Sequence, residues 1–184
     1  MPKKKIAILG VNYFPSRGGV SRVVEDTVIQ LKDDFEFTMY CYEHPEAADN
    51  IPGVKVVQIP AKPGGVAGVF WYYWLCTQHA LKHGDYDLVH VHKTDAAFFL
   101  PMLTKKFRVI DTSHEAPYKR DKWSWFTKQY FRQMEKRFIG SEAKLTSISR
   151  PLSEYYEETY GRVAIASPTG WTSKWPLTSN WPTR

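Results

Sequence analysis

The chain has 184 residues, 43% of them hydrophobic, 24% charged and 15% aromatic. That composition suits one globular domain of ordinary size and excludes disorder, collagen and small disulfide scaffolds. Its net charge of +6 comes from basic ends and one basic segment, 118–137, where seven Lys or Arg meet only Asp121 and Glu135; the remainder is net negative, so charge alone gives no argument for nucleic acid.

The first element is Lys5-Ile-Ala-Ile-Leu-Gly10, an apolar run read as a strand covered on both faces. It is too short for a secretory core, and the apolar run 66–75 stops at Thr77, short of a bilayer crossing, so a soluble chain is expected. After a polar loop, Val20, Val23, Val24, Thr27, Val28 and Leu31 recur at helical spacing. Strands are predicted at 35–42 and 54–59, then a long aromatic-rich helix at 66–83 and a short buried strand at 87–92. The alternation continues with a helix at 96–102, a strand at 107–112 and a helix at 123–138. A strand at 144–148, a helix at 151–160 with Pro in its first turn, and a last strand at 163–165 complete it. Strands alternating with helices predict a parallel, doubly wound, Rossmann-like α/β sheet. Cys41 and Cys76 lie far apart in apolar runs and read as buried free thiols.

Ligands of such sheets sit at the carboxyl ends of strands, so the loop after the first strand comes first. Gly10-Val-Asn-Tyr-Phe-Pro-Ser-Arg-Gly18-Gly19-Val20 has neither the Gly-x-Gly-x-x-Gly spacing of dinucleotide sites nor the Gly-Lys-Ser/Thr of a P-loop. Gly18-Gly19 at a helix N-terminus could bring backbone N–H groups to an anion, or could be a plain turn needing positive φ. His90 and His92 alternate on one strand and share a face, with His92 nearer the end and better placed for a ligand. His79 and His83 lie four apart on a helix; with no third ligand in a matching context, no metal is expected. His114 closes the next strand, as a contact to sugar or phosphate or as a surface histidine bonded to backbone. Beyond it, Trp123, Phe126, Tyr130, Met134 and Phe138 form one helical stripe, and Lys128, Arg132 and Lys136 stack at intervals of four. A charged solvated face over a core stripe accounts for most of this. Trp125 and Phe131, off the stripe, also suit a membrane interface.

Together these features resemble the N-terminal domain of glycosyltransferase family 4, retaining enzymes of the two-domain GT-B fold. The likeness rests on Ile6-Ala-Ile-Leu, Tyr13-Phe-Pro with Gly18-Gly19-Val20, Tyr86-Asp-Leu-Val-His-Val-His92, Val109-Ile-Asp-Thr-Ser-His114 and Leu145-Thr-Ser-Ile-Ser149, and covers residues 5 to about 166. It implies that the backbone of Gly18, Gly19 and Val20 approaches the diphosphate of a nucleotide-sugar donor. It implies that His114 sits beside the transferred sugar, and that His92 and the Tyr118, Lys119, Arg120 loop line the acceptor side. Ser149 would lie near the interdomain cleft. No metal or other cofactor is implied, the nucleotide-sugar being a substrate.

The expectation is therefore the acceptor-side half of a hexosyltransferase acting on a lipid-linked or polysaccharide acceptor, cytoplasmic or peripheral at the inner membrane face, with no nucleic-acid partner. In the family the donor nucleotide belongs mainly to a C-terminal domain, which residues 1–166 do not include, so this chain is expected to be inactive alone. A non-catalytic module gripping anionic membrane or polymer is the rival; the absent dinucleotide fingerprint argues against a simple nucleotide-binding protein.

Residues 167–184, with three Trp, three Pro and no acid, break the pattern. A one-base shift can turn Ser167-Pro-Thr-Gly-Trp-Thr172 into Pro-Asn-Gly-Val-Asp, a peptide common in the family where the second domain begins. A frameshift or a genuine Trp-rich tail both remain open at this point.

Overall fold

The computed structural model describes residues 2–16, 19–44, 52–60, 64–115, 124–162 and 164–166. Seven strands form one parallel sheet in the order β3-β2-β1-β4-β5-β6-β7: β1 Lys4–Leu9, β2 Phe35–Tyr42, β3 Val54–Ile59, β4 Leu88–His92, β5 Arg108–Ser113, β6 Lys144–Ser147 and β7 Ile165–Ala166. The chain winds outward from β1 to β3, then returns to lay β4 on the other side of β1, so the winding reverses between β1 and β4. This is the doubly wound α/β architecture that the strand–helix alternation predicts. The tail 167–184 lies outside the described residues.

The helices are α1 Val20–Leu31, α2 Gly65–His83, α3 Leu100–Thr104, α4 Trp125–Gly140 and α5 Arg150–Tyr160. Alternation along the strands divides the core in two. On one face Ile6, Ile8, Phe37, Met39 and Ile110 meet Val24 and Val28 of α1. On the other, Ala7, Leu9, Val89, Val91 and Val109 meet Tyr72, Tyr73 and Cys76 of α2, with Met134 and Phe138 of α4 and Tyr156 of α5. Each fully buried aliphatic side chain contributes roughly 1.5–3 kcal/mol. Cys41 and Cys76 are buried thiols in no disulfide, as expected, and burial pushes the Cys76 thiol well up.

Two expectations are corrected. Residues 96–102 do not form one helix: a 3-10 turn, Thr94–Ala96, gives way to the short α3. Pro101 lacks an N–H and so suits only the first turn of a helix, where it sits. In α4 the buried face is Phe131, Met134, Glu135, Phe138 and Ile139, whereas Phe126 is 79% exposed and Phe131 only 7%. The core stripe thus runs through Phe131, and the first turn of the helix adds no buried residue to it. The Arg162 guanidinium donates to the carbonyls of Ile139 (2.6 Å) and Ser141 (2.7 Å), fixing the far end of α4. Among the described residues, no helix is long and apolar enough to cross a membrane.

Candidate functional site

The strands β1, β4 and β5 end together at the point where the winding reverses. Gly10, directly after β1, has φ +95°, and a Cβ there would stand 2.3 Å from the carbonyl oxygen of His92. No other residue fits that position, because both the conformation and the approach of β1 to β4 exclude a side chain. The Tyr73 hydroxyl donates to the same carbonyl at 2.6 Å, tying α2 to the junction.

The loop from Val11 to Ser16 is anchored at both ends. Val11 and Phe14 are buried, and the Ser16 amide donates to the Glu25 carboxylate on α1 at 2.8 Å. Gly19, at φ +59°, is the residue before α1, and its carbonyl receives the Arg22 amide at 3.2 Å. Its positive φ is that of a turn glycine, and among the described residues a Cβ there would meet nothing within 4 Å at the N-terminus of α1. Gly18, Tyr118, Lys119 and Arg120 lie outside the described residues.

His90 and His92 do share a face, their rings 4.0 Å apart. His90 Nε2 is 2.7 Å from Thr112 Oγ1, which is 2.6 Å from Thr146 Oγ1, so one chain of polar groups crosses β4, β5 and β6 inside the core. His92, only 4% exposed, sits behind His114, with its Nδ1 2.9 Å from His114 Nε2. Burial lowers the pKa of all three rings: His90 to about 3, His114 to about 4 with the Lys93 charge adding to the effect, and His92 well below the usual range. All are neutral at neutral pH.

His114 is half-buried and lines an open pocket with Val20, Lys93, Thr94, Asp95 and Glu115. The start of α1, which follows β1, and the segments after β4 and β5 each contribute, at the carboxyl ends of strands where ligands bind in open α/β sheets. Sequence reasoning missed Lys93 and Asp95. Lys93 is a non-glycine residue at φ +78°, a conformation uncommon enough to mark a constrained position. Its amide donates to the Thr112 carbonyl and its ammonium to Asn12 Oδ1, each at 2.9 Å. Burial lowers the Lys93 pKa, with Asp95 and Glu115 opposing, and raises the Asp95 carboxyl to about 6. The signal available in the sequence was the run Lys93-Thr94-Asp95 immediately after a buried strand.

Ser149 lies beyond β6 and caps α5, its hydroxyl accepting from the Leu152 amide at 3.4 Å. It is not among the pocket residues. The pocket therefore offers one cation, two carboxyl groups and a neutral imidazole beside the N-terminal residue of α1, a set suited to hydroxyl-rich and phosphate-bearing ligands.

Residues 17–166 match the model of Glycosyltransferase Family 4. Among solved structures, sucrose-phosphate synthase from Thermosynechococcus elongatus matches with TM-score 0.64 at 16% identity, over 90% of this chain and 47% of that one. WaaG, a glycosyltransferase involved in lipopolysaccharide biosynthesis, matches with TM-score 0.59 at 16% identity, over 85% of this chain and 42% of that one. A ugt transferase from Siraitia grosvenorii in complex with UDP matches with TM-score 0.59 at 10% identity, over 99% and 53%. The chain spans about half the length of these proteins. No curated protein matches it.

Proposed function

Starting from a chain that belongs to glycosyltransferase family 4, we propose that its domain is the acceptor-side half of a retaining enzyme. The reaction would move a hexose from a nucleotide-sugar to a lipid-linked or polysaccharide acceptor at the cytoplasmic membrane face. The observation that carries this reading is the pocket where the start of α1 meets the segments after β4 and β5, with His114 in its wall. Val20 and the amides beside Gly19 serve the donor phosphates, and His114 contacts the transferred sugar. Tyr118, Lys119, Arg120 and His92 belong to the acceptor side, His92 by supporting His114, and Ser149 to the edge facing a second domain.

Transfer needs the donor phosphates held while the anomeric carbon faces the acceptor in a water-poor cleft. One domain provides one wall, so the 184 residues alone should show no measurable turnover and at most weak donor binding. Joining residues 1–166 to the donor-binding half of a family member should give transfer from a sugar nucleotide. In that enzyme His114→Ala should cost at least tenfold in rate, about 1.4 kcal/mol of transition-state stabilisation. Robust turnover by the 184 residues alone would sink the half-enzyme reading.

A second reading, a membrane-surface or anionic-polymer module, is favoured by one feature. Trp125 (65% exposed) and Phe126 (79% exposed) stand edge to face at the start of α4, with Arg132, Lys136 and Arg137 exposed further along the helix. Aromatic and basic side chains together suit an anionic lipid interface, each cation adding roughly 1 kcal/mol. Replacing Lys119, Arg120, Lys122, Lys128 and Arg132 by Gln should abolish sedimentation with phosphatidylserine-containing vesicles. Unchanged sedimentation, or none by the parent, would leave α4 an ordinary solvated helix.

A further inference from the structure

We propose that His92 is a positioning residue that locks His114 as the Nδ1–H tautomer, so that His114 offers the pocket a hydrogen-bond donor and not a base. That assignment rests on the geometry of two rings; its use in transfer rests on the function proposed above.

The contact His92 Nδ1···His114 Nε2 is 2.9 Å long, and one of the two nitrogens must supply its proton. The other nitrogen of His92, Nε2, is buried with no hydrogen-bond partner among the described residues. If His92 carried its proton on Nε2, a buried N–H would be left unpaired, the rarest and most costly kind of orphan. With the proton on Nδ1, only a lone pair is left bare. His92 therefore donates and His114 Nε2 accepts. A neutral imidazole that accepts at one nitrogen carries its proton on the other, so His114 Nδ1–H is the group left for the pocket.

The surroundings keep both rings in this state. His90 stacks on His92 from the same strand and is itself held by Thr112, while Lys93 from the loop after β4 and Glu115 from the loop after β5 border His114. Burial and the Lys93 cation disfavour a charged His114. An Nδ1–H donor suits an oxygen that carries or gains electron density, such as a sugar hydroxyl or a phosphate oxygen. A general base would need the opposite arrangement.

The test needs no turnover. In the 184-residue chain labelled with 15N at histidine, long-range 1H–15N correlation at pH 7 reports which ring nitrogen is protonated. We expect protonated Nδ1 and bare Nε2 at both His92 and His114. His92→Asn, whose side-chain amide can donate from near the Nδ1 position, should preserve the His114 pattern. His92→Phe should release His114 into averaged tautomers. A protonated Nε2 at His114, or averaging in the parent chain, would overturn the proposal, and the parent spectrum decides even if the Phe variant does not fold. A locked tautomer in a domain that yields no transferase when joined to a donor half would leave this inference standing and remove the functional one.

Discussion

Strands β4 and β5 carry polar side chains into both halves of the core, and the two faces treat them differently. On the α1 side, His90, Thr112 and Thr146 bond in series and His92 meets His114. On the α2 and α4 side, Ser113 pairs with the Tyr156 hydroxyl at 2.6 Å. Asp111, fully buried two residues earlier, has no side chain among the described residues bonded to either carboxylate oxygen. Neutral groups that share hydrogen bonds can be buried at less cost than a carboxyl with no side-chain partner, which stays buried by remaining protonated. The faces should therefore respond to pH with opposite sign.

The largest effect should come from acid. The folded-state pKa of His90 is lowered to about 3 and that of His92 well below the usual range, both chiefly by burial, while the unfolded chain takes up protons near pH 6.5. Below that value the unfolded state binds more protons, so stability is full above pH 6.5 and falls as pH drops, by about 1.4 kcal/mol per unit for each ring. Between pH 6.5 and 5 the loss from these two rings should be on the order of 3 kcal/mol, with His114, lowered to about 4, adding to it and the buried carboxyls offsetting part. Urea unfolding at the two pH values measures it. Stability that is flat or rises on acidification would mean that these rings are charged in the fold.

Next in size is Thr112→Val, which keeps the shape of the side chain but removes the hydroxyl joining His90 to Thr146. Two buried partners lose a bond, for about 2 kcal/mol. Thr112→Ser should recover most of it. A Val variant within half a kcal/mol of the parent would show that the series contributes nothing net.

The sheet was legible in the sequence because its strands are buried on both faces and read as short apolar runs, and because α1 keeps strict helical spacing. The site was legible only in part. His114 could be placed at a strand end by counting, but its partner could not be, since His92 and His114 meet across the β4–β5 register, which no local pattern encodes. Lys93 escaped because positive φ in a non-glycine residue leaves no compositional mark. Phe126 and Phe131 exchanged roles because the core stripe of α4 is set by where the helix lies over the sheet. Periodicity alone does not fix that position.

The smallest predicted effect sharpens the contrast between the faces. Burial raises the Asp111 pKa well above its ordinary value, and the neighbouring Asp95 adds to the shift. An acid whose folded pKa is raised gives up stability as pH climbs from about 4 toward that raised value, because the folded state then holds the proton that the unfolded state has lost. Asp111→Asn removes this titration while keeping size and polarity. At pH 8 the Asn variant should match or exceed the parent by about 1 kcal/mol, and by pH 4 most of the advantage should vanish or reverse, since the parent carboxyl is then neutral in the fold and only about half ionised in the unfolded chain. Equilibrium unfolding of both proteins at the two pH values gives the comparison directly. An Asn variant less stable than the parent by more than about 2 kcal/mol at pH 8 would mean that Asp111 is ionised and paired in the fold, and that the two faces are alike.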